Sequence, residues 1–353
     1  MKTRKKRRFR PSILLPLLLL AALTACSAPA RVFSFETRAL TSTGEPFAQP
    51  SVGLVDRETL TGAPVPWNSG LLCLTFTQGD DPNLVFLDPD GSERRLPVHA
   101  AGFAASEDGV WFLAGSPGAR CVRFLRAEDA EPEDTPVTAG DADTLRFSDG
   151  RLVWADSVPS ADGGAARVRY CAYDPSSGKT ETLAEAPALG GQNRRPSVQS
   201  GYLTFLDVDA GQYVLRAVPL RGGEARELCR TGLSDPPAYW AYDGRFLVWT
   251  SSVSAALRLC DTKTGEETVL REDASGGELR LLGGRYAVYF AQDGLCVLDL
   301  PSGEPVLQAA DIPALDGLTF PSAFIGTGDD LDVLAFGLSG PDGQDYAGTL
   351  AMR

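Results

Sequence analysis

Seven short apolar segments in this chain each begin at a glycine, and their spacing restricts the fold more than any other feature of the sequence. They are GLLCLTF at Gly70, GVWFLAG at Gly109, GRLVWAD at Gly150, GYLTFLD at Gly201, GRFLVWT at Gly244, GRYAVYF at Gly284 and GDDLDVLAFG at Gly328. Successive starts lie 39, 41, 51, 43, 40 and 44 residues apart. A period near forty residues belongs to a propeller blade, a small sheet that cannot bury its own faces and must stack on its neighbours.

A second series runs in phase with the first. FLDPDGSE, AYDPSSGKTETL, VPLRGGEARELC, LCDTKTGEETVL and VLDLPSGEPVL each read as a strand, a tight turn with glycine, and a second strand. Asp and Ser bond to turn backbone and Gly accepts a positive φ, so these are hairpins with a mechanism. The module is therefore four strands: a short one before the glycine, an apolar one after it, then the hairpin pair. No apolar stripe of helical period occurs beyond the first residues. The expected class is all-β, a propeller of four-stranded antiparallel blades, seven by the glycine count, with six or eight as the alternatives because the second module and the N-terminal segment are the least regular.

The chain ends bear on closure. After Gly328 only 25 residues remain, so the seventh module lacks an outer strand, while RVFSFETRAL and SVGLVDRETL within residues 31 to 60 supply spare strand material. Pairing one of these with the last blade would close the ring and cover its open edges. In such a ring the loops between modules and those between second and third strands share one face. That face would carry the long loops QGDDPN, DSVPSADGGAA, DVDAG, GGQNRRP and FAQDG.

Ahead of the repeats stand seven cations in residues 1 to 10, the apolar run Ile13 to Leu23, and small residues. This three-part order is that of an export signal, and the run, interrupted by Pro16, is short for a spanning helix. Leu23-Thr24-Ala25-Cys26 resembles the lipobox of bacterial lipoproteins. That resemblance implies a signal peptide over 1–25, lipidation of Cys26 as the new first residue, a linker over 26–30, and one propeller domain over 31–353 on the outer surface of a membrane. An ordinary secretory signal cut after Ala28-Pro29-Ala30 is the alternative. Two acyl chains anchor stably where one does not, since each buried methylene contributes about 0.8 kcal/mol.

Without the leader, 26 basic residues face 46 acidic ones, a net charge of −20. Nucleic acid and anionic lipid are poor partners for such a surface. Cys73, Cys121, Cys171, Cys229, Cys260 and Cys296 lie tens of residues apart without a CxxC, and His99 is the sole histidine, so no zinc-like set is present. The cysteines read mainly as small buried hydrophobes; export also permits disulfides, whose pairing the sequence leaves open.

The period and turn pattern over about residues 31–353 resemble the broad TolB-like and WD-repeat-like superfamily of propellers found in bacterial lipoproteins, although the Trp-Asp strand endings of WD repeats are missing. The resemblance implies a platform for protein, peptide or glycan. Local catalytic signatures are weak. SEDGVW, Ser106 to Trp111, differs in glycine spacing from the Asp box of sialidases and reads as a turn. GLSGP at Gly337 has proline where a nucleophile elbow needs glycine. Asp207–Gly211 and Gly140–Asp143 offer hard oxygen atoms but complete no calcium loop, and no metal or cofactor is expected.

Loops on a rigid scaffold are where binding residues concentrate. The candidates are Arg194 and Arg195, which could grip a carboxylate, and Tyr239 and Trp240, which could stack on a peptide or sugar from an inner strand. The expected function is a membrane-anchored extracytoplasmic binding or assembly platform. The alternative is a propeller glycoside hydrolase or lyase using paired carboxylates.

Overall fold

The computed structural model describes residues 51–55, 59–76, 82–88, 92–128, 130–159, 166–274, 277–291, 294–311, 322–327, 333–339 and 345–351. The leader, Cys26 and Gly328 lie outside these residues. The described chain is β-structure throughout, apart from the short 3₁₀ turns Leu189–Arg194 and Ala309–Asp311. Seven antiparallel sheets follow one another along the sequence, and the second to sixth are each built in chain order from an inner to an outer strand. The seven inner strands are Val65–Trp67, Phe103–Ser106, Leu145–Ser148, Ser197–Gln199, Pro237–Tyr242, Arg280–Leu282 and Ser322–Thr327. Strands of the last blade pack against those of the first, so the chain forms a seven-bladed propeller ring.

Wherever the glycine that starts a repeat is described, it sits at or directly after the turn from the inner strand into the second. Asp149 and Gly150 have φ of 52° and 73°, and Ser200 and Gly201 have 52° and 75°. Ser148 pairs with Arg151 and Gln199 with Tyr202, so both links are two-residue hairpins with positive φ at both central residues. That is the turn whose twist suits paired strands, and it explains the glycine of the repeat. The second strand is buried on both faces, as in Phe246–Ser251, which is why it reads as an unbroken apolar run.

The hairpin series is equally regular. Gly178, Gly265 and Gly303 each donate their N–H to the carbonyl of Asp174, Asp261 and Asp299, at 2.8 Å in every case. The same three carboxylates accept from the N–H of Ser176, Lys263 and Ser302 at 2.9, 2.9 and 3.2 Å. The Asp therefore closes the turn through its backbone and braces it through its side chain.

Burial occurs between blades. One cluster joins Trp67 and Phe86 of the first blade to Phe103 and Phe112 of the second; another joins Trp111 to Trp154 and Tyr173 across the second and third. Tyr170 meets Phe205 between the third and fourth, and Leu215 meets Trp249 between the fourth and fifth. Cys73 and Val85 of the first blade pack with Ala335 and Ala347 of the seventh.

Closure uses Ser51–Val55 from the SVGLVDRETL segment, which pairs antiparallel with Asp345–Ala351 as the outer strand of the last blade. The first blade is also irregular. Thr59–Leu60 and Val65–Trp67 pair with different parts of the same strand, Gly70–Phe76, separated by residues 61–64. A Cβ on Gly326 of the seventh blade would run into the carbonyl oxygen of Pro64, so glycine permits this close approach.

The expectation of a long loop at DVDAG changes, while the turn expected at SEDGVW is present. DVDAG is a tight hairpin in which Ala210 and Gly211 have φ of 49° and 74° and Asp209 faces Gln212, so it contributes no long loop. SEDGVW is the turn between an inner and a second strand, with Ser106 paired to Gly109. The six cysteines are free thiols; Cys73, Cys260 and Cys296 are buried and Cys121, Cys171 and Cys229 are half-buried. His99 ends the exposed outer strand Glu93–His99.

Candidate ligand site at the propeller axis

Arg194, Arg195, Tyr239 and Trp240 all line one cavity of about 470 Å³. Its walls come from the third to sixth blades and the links between them. An adjoining cavity of about 240 Å³ shares Asp143, Arg146, Arg195 and Glu278 and continues toward Thr61 and Phe103 of the first two blades. Volumes of this order suit small ligands or a few residues of a peptide.

The link carrying Arg194 and Arg195 is held from below by Asn193, which is fully buried. Its amide donates to the carbonyls of Pro187 at 2.7 Å and Leu206 at 2.6 Å, and its oxygen accepts from the N–H of Leu206 at 2.9 Å. The Tyr170 hydroxyl donates to the Asn193 carbonyl at 2.8 Å. One amide thus ties the third blade's outer strand to the fourth blade's second strand. The link begins at Leu189 with φ of 41°, a strained value for a leucine that these bonds overcome. Arg194 donates to the Ser157 hydroxyl at 3.1 Å, and both arginine side chains are exposed.

Tyr239 is 38% exposed and Trp240 is 5% exposed. A bulge between Pro237 and Tyr239 shifts the register of their strand against its partner, a device common beside functional sites. Ser197 donates to the carbonyl of Trp240 at 3.0 Å, joining the fourth and fifth inner strands. The indole N–H of Trp240 has no acceptor among the described residues.

The sequence reading missed the charged floor of the cavity. Arg146 of the third blade and Arg280 of the sixth both reach Glu278: Arg146 Nη2 lies 3.1 Å from Oε1 and Arg280 Nη2 lies 3.3 Å from Oε2. The second terminal nitrogen of each donates to the carbonyl of the residue before it, Leu145 at 3.1 Å and Leu279 at 2.9 Å. The arrangement is nearly two-fold. Both Nε atoms are buried with no acceptor among the described residues. Burial, the largest influence on Arg280, pushes its pKa below the usual guanidinium range; Arg146 acts in the same sense and Glu278 against it. The Gln199 amide donates to the carbonyl of Leu281 and accepts from its N–H at 3.2 Å, which fixes the strand bearing Arg280.

A signal for these residues was present. Arg146, Ser197, Trp240 and Arg280 each stand four positions before the repeat glycine of their module, and all four line the cavities. TLRFSDG and ELRLLGG even share Leu-Arg at that register. The carboxylates at the site are unequal: Glu278 is engaged on both oxygens by guanidinium, while the Asp143 carboxylate accepts from the Thr144 hydroxyl at 2.9 Å. Among the described residues no group of three His, Cys, Asp or Glu side chains could hold a metal. Asp207 and Asp209 of DVDAG pair with Arg216 and Arg230, each at 2.8 Å.

The fold has solved counterparts. The acylaminoacyl peptidase of Pyrococcus horikoshii superposes with a TM-score of 0.54 at 12% identity, covering 80% of this chain and 49% of that one. The puromycin-hydrolysing peptidase of Mycobacterium tuberculosis gives 0.51 at 16% identity over 81% and 50%. YCF48 bound to D1 peptide gives 0.54 at 9% identity over 90% and 99%. The chain spans about half the length of the peptidases it matches, and the likeness establishes the propeller fold alone. No family model matches the chain, and no curated protein matches it.

Proposed function

We propose that the chain is a lipid-anchored, extracytoplasmic binding propeller that takes a peptide or a segment of a partner protein into the cavity at its axis. The observation that carries the reading is the convergence of Arg194, Arg195, Tyr239 and Trp240 on that cavity. Cations flank the exposed Tyr239 ring, with Trp240 packed behind it, so the cavity offers both charge and a stacking surface. YCF48, a propeller similar to this chain along nearly its whole length, carries a D1 peptide. The anchored location rests on the leader and on Leu23-Thr24-Ala25-Cys26.

The test is a random tetrapeptide library passed over the full chain held in detergent. Retention of a defined peptide set, reduced at least about tenfold, or 1.4 kcal/mol, by Arg194→Ala combined with Tyr239→Ala, supports the reading. Retention of nothing, or retention indifferent to both substitutions, removes it. The anchor is tested separately: Cys26→Ala moves the protein from the membrane fraction to the soluble exported fraction if Cys26 is lipidated, and leaves it in the membrane otherwise.

A further inference from the structure

We infer that Arg146, Glu278 and Arg280 form an anion seat at the floor of the axial cavity, which receives a carboxylate of the bound peptide. The inference rests on the peptide-binding reading above and names the group that the cavity selects.

Two guanidinium groups share a single carboxylate in a largely buried place: the side chains of Arg146, Glu278 and Arg280 are only 17%, 13% and 5% exposed. Arginine does not deprotonate in proteins, so the trio carries one uncompensated positive charge. Burying an unpaired charge is costly, and fold stability alone gives no reason to retain it. With Arg194 and Arg195 the lining holds four cations against Asp143 and Glu278. This excess sits in a chain whose formal net charge is −13. A positive focus in a negative molecule is an address for an anion.

Hydrogen bonding leads to the same conclusion. Each arginine of the trio spends one terminal nitrogen on Glu278 and the other on a backbone carbonyl, leaving Nε–H without an acceptor. Both Nε atoms are closed off from the cavity, and an unsatisfied buried donor calls for an explanation; a seat that opens slightly to admit an anion supplies one. Glu278 and Gln199 hold the guanidinium planes through side-chain and strand contacts, so the seat is organised before the ligand arrives. A planar carboxylate matches a guanidinium edge, and the exposed Tyr239 on the adjoining wall receives the residue that bears it. The carboxylate has two possible sources, the peptide's free C-terminus and an Asp or Glu side chain.

The experiment uses the same immobilised full chain with four tetrapeptide libraries: free-acid and amidated C-termini, each with and without Asp and Glu. The wild type and Arg146→Gln are compared, and a thermal melt confirms that the variant folds. If the seat takes the chain end, free-acid peptides bind at least about tenfold more tightly than amides whatever their side chains. If it takes a side chain, acidic residues give that gain in the amidated set. Arg146→Gln abolishes either preference. Equal binding by all four libraries overturns the seat and leaves the peptide-binding reading intact. If no library binds, acetate is titrated at constant ionic strength. A rise in melting temperature that Arg146→Gln removes supports the seat without the peptide reading, and no rise overturns both.

Discussion

Asn193 shows how one side chain can decide a site. It satisfies two carbonyls and one N–H from separate strands, and its own carbonyl is bonded to Tyr170. Asn193→Ala leaves those buried groups unpaired, and at about 1 to 3 kcal/mol for each such group the expected loss is about 3 kcal/mol or more, read from chemical denaturation. The aspartate isostere keeps the acceptor and loses both donors, so Asn193→Asp should not restore stability. Ala210 makes the converse case. It holds φ of 49° in a two-residue hairpin, where an L side chain costs about 1 to 2 kcal/mol. Ala210→Gly should raise the unfolding midpoint, and an unchanged or lower midpoint would show that the hairpin carries no such strain.

At the scale of elements, the recurrent unit is the Asp-to-Gly hairpin with an arginine beside it. Arg245 pairs with Asp261 at 2.8 Å, Arg285 with Asp299 at 2.5 Å, and Arg151 lies 4.0 Å from Asp174. Hydrogen bonds from Ser176 and Ser177 hold the Asp174 carboxyl down to about 2. The Asp261 carboxyl is also lowered: burial is the largest single influence and opposes the shift, and Arg245 with turn N–H groups outweighs it. A carboxyl lowered in the folded state adds stability above its unfolded pKa near 3.8 and loses it as pH falls through the folded value. Stability from these hairpins should therefore hold at neutral pH and decline from about pH 4 to about pH 2. Asp174→Asn and Asp261→Asn together should flatten that decline. An equally steep acid transition in the double variant would place the loss elsewhere. Asp243 has the opposite sign: burial raises its carboxyl, while the N–H groups of Arg245 and Phe246 oppose the rise.

At the scale of the whole molecule, stability depends on closing the ring. Seven blades bury their apolar faces against one another, and the last is completed by a strand from the other end of the chain. Val52 and Gly53 pair with Gly348 and Ala347. Because successive N–H groups alternate sides, Val52→Pro with Gly53→Pro removes a ladder donor from this edge strand and should lower the melting temperature by several degrees, with the seventh blade losing hydrogen-exchange protection first. Uniform loss of protection around the ring would mean that closure is not the weak point.

The sequence by itself determined the period, the four-strand module and the turn at the described repeat glycines, because each depends on contacts within forty residues and on backbone angles that few residue types accept. It also put Arg194 and Arg195 on a link between blades and Tyr239 and Trp240 on an inner strand, since topology assigns those links to one face and the first strand of each module to the axis. Only the tertiary structure decided which strand closes the ring, and that DVDAG is a tight hairpin while GGQNRRP is a pinned link. It alone joined Arg146 to Glu278, 132 residues away. Those outcomes depend on pairings between blades distant in sequence, and a local pattern carries no record of which partner lies across the axis.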